Sequence, residues 1–445
     1  MATFDMIIKS GTLVNHMGQG LGDVGITDGK FTAIGDLSTA DAGHVIDASG
    51  LYVLPGVIDT QVHFREPGMV HKEDLESGAR QAVKGGVVGV FEMPNTDPLT
   101  TTPEAIQDKV DRAKGRMWCD HAFYMGATAE NADHLADIEN TPGCCGIKVF
   151  MGASTGNLLV ADDPTLERVF ASGRRRVAIH AEDNMRMDER AHLREEGRPH
   201  SHPIWRDDES AIMATRRAVT LARKTNRRVH ILHITTPQEL AYLAQNKDIA
   251  SVECTPQHLT LGAPDCYDRL GTYAQMNPPI RSTAHRDGLW EWVKQGVVDV
   301  IGSDHAPHLK EEKDRPYPAS PSGMPGVQTI VPLLLDHVNK GRLTLQQFVD
   351  LTAHGANRLF NLQTKGRMAL GYDADITLID LKKRWTVTAD WLEGKSGWSP
   401  FEGMTLEGKA VGTIIRGQQV MAEDDLLGEA IGTPMRFQET MRGLG

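Results

Sequence analysis

With 445 residues, the chain is long enough for one large catalytic domain plus a smaller one and too long for a single ordinary core. Its formal charge of −12, unrelieved by any long basic run, argues against a nucleic-acid or acidic-membrane partner; 40% hydrophobic and 24% charged residues are ordinary for a soluble protein. Five scattered cysteines (Cys119, Cys144, Cys145, Cys254, Cys266) without CxxC spacing support neither a disulfide framework nor a thiolate zinc site. The opening "MATFDMIIKSGTLV" lacks the basic and apolar layout of a signal peptide, and no run of about 18 apolar residues occurs, so a cytoplasmic protein is expected.

Residues 1–55 read as short strands and turns that alternate apolar with polar residues, and so does the tail from 366 to 445. Together they suggest one small antiparallel β domain, a β-sandwich assembled from both chain ends. Between them, over residues 56–365, apolar runs alternate with helical patterns. The strand candidates are "LYVLPGVIDTQVHF", "VVGVFEMPN", "CDHAFYMGAT", "GIKVFMG", "RRVAIHAED", "RRVHILHITT", "IASVECTPQHL" and "VDVIGSDHAPH"; helix-like stretches lie at 72–86, 102–115 and 209–225. Eight such repeats over roughly 300 residues predict an α/β fold of the (β/α)₈ type, with its active site at the C-terminal ends of the strands. The arginine runs at 174–176 and 227–228 each precede an apolar run and read as solvated entrances to strands rather than binding patches.

The strand ends carry the chemistry. In the first, Asp59, Gln61, His63 and Arg65 share one side by the two-residue period of a strand. The second ends with Asn95, the fourth carries Lys148, the fifth His180, the sixth His233, and the eighth Asp304, His305 and His308. Imidazole nitrogens with a carboxylate oxygen, converging from separate strands, are what Zn²⁺ accepts in catalytic sites. A single histidine in an apolar strand is more often a satisfied core residue, and His230 reads that way. A lysine held among apolar neighbours inside a barrel loses its proton easily, and the neutral amine of Lys148 can add CO₂ to become a carbamate that bridges metals.

On the motifs "LPGVIDTQVHFREPG", "GGVVGVFEMPNT", "GIKVFMG", "IHAED", "HILHITT", "NPPIR", "GSDHAPH" and "SPFEGM", which span nearly the whole chain, the sequence resembles the dihydroorotases of the amidohydrolase superfamily, in the long-chain class related to hydantoinases and allantoinases. The resemblance implies one or two zinc ions held by His63, carbamylated Lys148, His180, His233 and Asp304. It implies proton transfer by Asp304 and recognition of a ring carboxylate by Arg65, Asn95 and His308. Asn277 of "NPPIR" and the polar loop 308–326 are expected to line or cover the pocket. The resemblance departs at Gln61, which stands where the first histidine of a His-x-His pair would be; an amide oxygen is a weaker zinc donor, so Gln61 is expected to be a weak or absent ligand. The expected activity is reversible hydrolysis of dihydroorotate in pyrimidine biosynthesis, by a homo-oligomer of two or four chains. Two alternatives remain open: a hydantoinase-like or dihydropyrimidinase-like cyclic amidase, and a catalytically impaired homologue that serves as a structural partner of aspartate transcarbamoylase.

Overall fold

A computed structural model describes residues 4–154 and 158–441. Eight parallel strands form the barrel in chain order: Val57–Val62, Val87–Glu92, Asp120–Gly126, Cys144–Phe150, Val177–His180, Val229–Ile231, Ala250–Cys254 and Val300–Ile301. The last meets the first where the His63 amide donates to the His305 carbonyl at 2.7 Å. Every residue in these strands is buried, as expected of parallel strands covered by helices on the outside and filled within. That is why they read as apolar runs rather than as alternations.

The covering helices begin on strong caps. Asp74, Thr102, Asp207, Thr236 and Thr255 each accept the backbone N–H three residues on, which satisfies a donor the helix itself leaves free. Helix Asp208–Thr225 ends on Asn226 at φ 54°, the left-handed turn that asparagine tolerates.

The second unit is a nine-stranded sheet. Strands Phe4–Asn15, Gly18–Thr27, Lys30–Gly35, Ala42–Asp47 and Tyr52–Pro55 come from the N-terminal side, and Ile376–Thr386, Thr405–Ile415, Gln418–Ala422 and Asp425–Leu426 from the C-terminal side. The halves join through antiparallel pairing of Val53 with Leu378. The sheet is mixed, which corrects the antiparallel expectation: Phe4–Asn15 runs parallel to both Ala42–Asp47 and Tyr52–Pro55. After the first meander the chain crosses back to the free edge of its opening strand, and local alternation carries no record of such a crossover. The sheet buries its own cluster of Ile8, Val24, Phe31, Val53, Ile376 and Ile414. Beyond Leu426 the tail leaves the sheet and crosses the barrel's N-terminal face, where the His121 amide donates to the Thr433 carbonyl at 3.1 Å. Among the described residues no helix is long and apolar enough to cross a membrane.

Candidate active site

At the C-terminal ends of the barrel strands a narrow pocket is lined by Gln61, His63, Arg65, Asn95, His180, His233, Asn277 and Asp304, together with Phe150, Ser154, Ala306, Ser322 and Gly323. Three of the lining residues, Arg65 (φ 64°), His233 (φ 37°) and Asp304 (φ 45°), hold left-handed backbone conformations without being glycine. Such strain persists where the surrounding structure over-determines the residue, and it clusters at working sites. Here it turns each side chain off its strand end and into the pocket.

The donors fall into two groups. In the first, Asp304 Oδ1 lies 3.3 Å from His63 Nε2 and accepts a 3.0 Å hydrogen bond from Gln61 Nε2. His63 Nδ1–H donates to Asn95 Oδ1 at 2.8 Å, which leaves Nε2 with its lone pair toward Asp304. In the second, His180 Nδ1 and His233 Nε2 face each other at 3.1 Å. Two imidazole nitrogens at that spacing form one edge of a tetrahedron around a metal with bonds of about 2.0–2.1 Å. His180 Nε2–H donates to Glu182 Oε2 at 2.8 Å, and Arg206 grips the same carboxylate, with Nε 3.1 Å from Oε1. Burial opposes ionisation of Glu182, but Arg206 and His180 outweigh it and hold the carboxyl well below the usual range. The sequence reading passed over Glu182 and Arg206. Glu182 was legible two residues beyond His180, on the same side of the strand; Arg206 lies in a separate helical segment and left no local signal.

Lys148 is 1% exposed, and its Nζ has no hydrogen-bond partner among the described residues. It stands 4.2 Å over the Phe150 ring. Burial lowers its pKa to about 7 against the opposing pull of Asp304 and Glu253, so a large fraction of the amine is neutral at physiological pH. Among the described residues no three His, Cys, Asp or Glu side chains converge as a metal cluster. The reason is visible in the two groups: each holds two such residues, and the third neighbour is Gln61 in one and Lys148 in the other. The unpartnered Lys148 Nζ, Gln61 Oε1 and His233 Nδ1 mark the same place as under-satisfied. The donor chemistry therefore fits a zinc ion at the His180 and His233 group. At the Gln61 group it fits less well, because there the amide N–H already occupies the carboxylate.

Arg65 is 1% exposed, has no carboxylate partner among the described residues and lines the pocket. Its Nε donates to the Pro307 carbonyl at 3.2 Å, and burial lowers its pKa to about 10, leaving it cationic. His308 stands behind it, with Nε2 3.3 Å from Arg65 Nη2. Lys72 Nζ donates to His308 Nδ1 at 3.2 Å, and Nε2–H donates to the Ser322 carbonyl at 3.1 Å. Burial lowers the His308 pKa to about 3, so the ring is neutral. Asn277 sits on the far wall, its Oδ1 accepting from His202 Nε2 at 3.0 Å. Asp59 and His305 do not reach the pocket. Asp59 Oδ1 accepts the Ser303 amide at 2.9 Å, and His305 Nδ1 accepts the Gly326 amide at 3.0 Å.

A barrel-end pocket with paired imidazoles, an aspartate and a buried neutralisable lysine is thus set out in a chain that has relatives among known proteins. The chain is 37% identical to the dihydroorotase of Pyrococcus furiosus over 92% of its own length and 91% of that protein. It is 33% identical to an Escherichia coli allantoinase over 94% and 95% of the two chains. Its fold superposes on the L-hydantoinase (dihydropyrimidinase) of Arthrobacter aurescens with a TM-score of 0.92, at 29% identity and over 97% and 99% of the two chains. Residues 52–420 match the amidohydrolase family profile, and the chain belongs to that family of enzymes.

Proposed function

We propose that this cyclic amide hydrolase is a dihydroorotase, interconverting (S)-dihydroorotate and N-carbamoyl-L-aspartate. One observation carries the choice of substrate: the buried Arg65 guanidinium, without a carboxylate of its own, faces the pocket. A neutral ring would leave that charge desolvated and unpaired, whereas a ring carboxylate pairs with it. Asn277 on the opposite wall supplies a further polar contact, Asn95 orients His63, and the Pro307 carbonyl holds Arg65 through its Nε–H. The similarity to archaeal dihydroorotases at 34–37% identity supports the same reading.

His180, His233 and Lys148, the last as its carbamate, are proposed to hold a zinc ion, with Glu182 fixing the His180 ring; His63 and Asp304 would hold a second ion where one binds. When bound, zinc supplies Lewis acidity at the scissile carbonyl and acidifies water. Asp304 is proposed to carry the proton from attacking water to the leaving ring nitrogen, from a position where His63 and Gln61 already fix its Oδ1. Residues 56–365 are proposed as the catalytic unit, with 1–55 and 366–445 as its supporting sheet and tail. Turnover of dihydroorotate, hydantoin, dihydrouracil and allantoin by the zinc-loaded protein tests the assignment. Dihydroorotate is expected to give the highest kcat/KM; preference for a neutral ring would overturn it.

A further inference from the structure

The opposite, N-terminal face of the barrel gathers a cluster of arginines. There a small cavity is lined by Arg174, Arg175, Arg176 and Arg228, with Phe360 and Glu439 among its walls. In a chain of formal charge −12, none of these four arginines has a carboxylate at ion-pairing distance among the described residues. Arg175 is 5% exposed and spends its guanidinium on the carbonyls of Glu139 (2.8 Å), Cys144 (2.6 Å) and Cys145 (2.9 Å). Arg176 donates to the Leu359 and Val229 carbonyls at 3.3 and 3.0 Å and to Ser251 Oγ at 2.9 Å. The nearby Glu139 is already taken by Arg227 Nη2 at 2.7 Å and by the Arg174 and Arg175 amides. Carbonyls fix these guanidiniums in place without cancelling their charge. Burial lowers the Arg176 pKa to about 10; the Asp299 carboxylate opposes the shift, and the neighbouring Arg228 and Arg358 cations add to it. The arginine runs are thus not simply solvated strand entrances, since Arg175 and Arg227 are buried.

We propose that this cavity binds a phosphate-bearing anion. Four cations around one small space exceed what a single carboxylate balances, and guanidinium forks match the oxygens of a phosphate dianion. Among the described residues Glu439 is the one acid on the wall. Its Oε1 accepts from Asn361 and its buried Oε2 has no partner among them, so it opposes the anion rather than replacing it.

Thermal unfolding of the full-length protein, with orthophosphate, pyrophosphate or a nucleoside triphosphate against potassium chloride of equal ionic strength, tests the site. Each phosphate arm is expected to raise the unfolding temperature above its chloride control. A larger rise with the nucleotide than with orthophosphate points to a nucleotide ligand, and equal rises point to free phosphate. Arg174 and Arg228 are exposed, so the double variant R174A/R228A should fold and bind about tenfold or more weaker. Glu439→Gln should bind tighter than the parent. No rise beyond chloride, or a rise that persists undiminished in the double variant because the anion sits in the active site, would overturn the proposal.

Discussion

At Arg65, charge and burial make the proposed carboxylate contact directly testable. Replacing it with methionine keeps the volume and removes the cation, so KM for dihydroorotate should rise with a loss of about 2–5 kcal/mol in kcat/KM. Zinc content should be unchanged, because no metal-facing atom is touched; wild-type turnover at low substrate concentration would refute the role. Gln61 makes the opposite kind of prediction. Its amide N–H satisfies Asp304 Oδ1 where an imidazole lone pair would otherwise face a metal. Zinc titration should therefore find one tight site per chain, and Gln61→His should add a second; two equally tight sites in the parent would show that the glutamine is no obstacle. Glu182 acts through His180. Glu182→Gln should lower zinc affinity by about 10- to 100-fold while Arg65-dependent selectivity among substrates stays as it was, a split that equilibrium dialysis and substrate comparison would reveal.

At the scale of elements, a buried lysine is one of the ties that hold the loop over 308–326. Lys313 Nζ donates to the carbonyls of Gln275 (3.2 Å), Pro321 (2.8 Å) and Gly323 (3.1 Å), and so connects the loop that carries Ser322 and Gly323 to the segment that carries Asn277. Lys313→Met would strand the Pro321 and Gly323 carbonyls, while the Gln275 carbonyl keeps the Gly323 amide, at a cost of about 1–3 kcal/mol. Proteolysis within 308–326 should quicken and KM should rise, while zinc content holds; an unchanged cleavage rate would show that the tie is not what orders the loop. The barrel strands were legible in the sequence because parallel strands buried on both faces read as short apolar runs ending in polar residues, as "VAIHAED" does. The residues that bring Lys72 and Lys313 to the site were not legible, since their partners lie far along the chain. The parallel pairings of Phe4–Asn15 were hidden for the same reason: a crossover is a property of register, and alternation alone does not encode it.

At the scale of the whole molecule, the sheet and the barrel are joined by a buried ionic cluster. Lys365 Nζ lies 2.5 Å from Asp120 Oδ2 on the third barrel strand, 2.6 Å from Asp375 Oδ2 and 3.0 Å from Asp373 Oδ2, and Arg416 from the sheet grips Asp120 as well. Burial opposes ionisation of all these groups. At Lys365, Asp375 and Asp120 outweigh it and raise the pKa; at Asp120, Lys365 and Arg416 outweigh it and hold the carboxyl below its ordinary value. A raised lysine contributes stability that is fully present below about pH 10 and is lost as pH rises through its folded value. A depressed aspartate contributes stability that is present above about pH 4 and is lost as pH falls through its folded value. The Lys365–Asp120 pair should therefore hold at constant strength across the neutral range, whereas burial raises the Asp375 carboxyl above its ordinary value despite Lys365. Lys365→Met removes the central cation and leaves three carboxylates crowded together with only Arg416 and Lys30 to balance them. It should cost about 3–5 kcal/mol at pH 7, because breaking one side of a buried ion cluster strands the other. The sign with pH then reverses: mild acidification protonates one of the stranded carboxylates and relieves the repulsion, so the variant should regain part of its loss between about pH 7 and pH 5 while the parent changes little. Urea unfolding of both proteins across that window would measure it, and a variant whose deficit is the same at both ends would show that the aspartates do not depend on Lys365 for their charge.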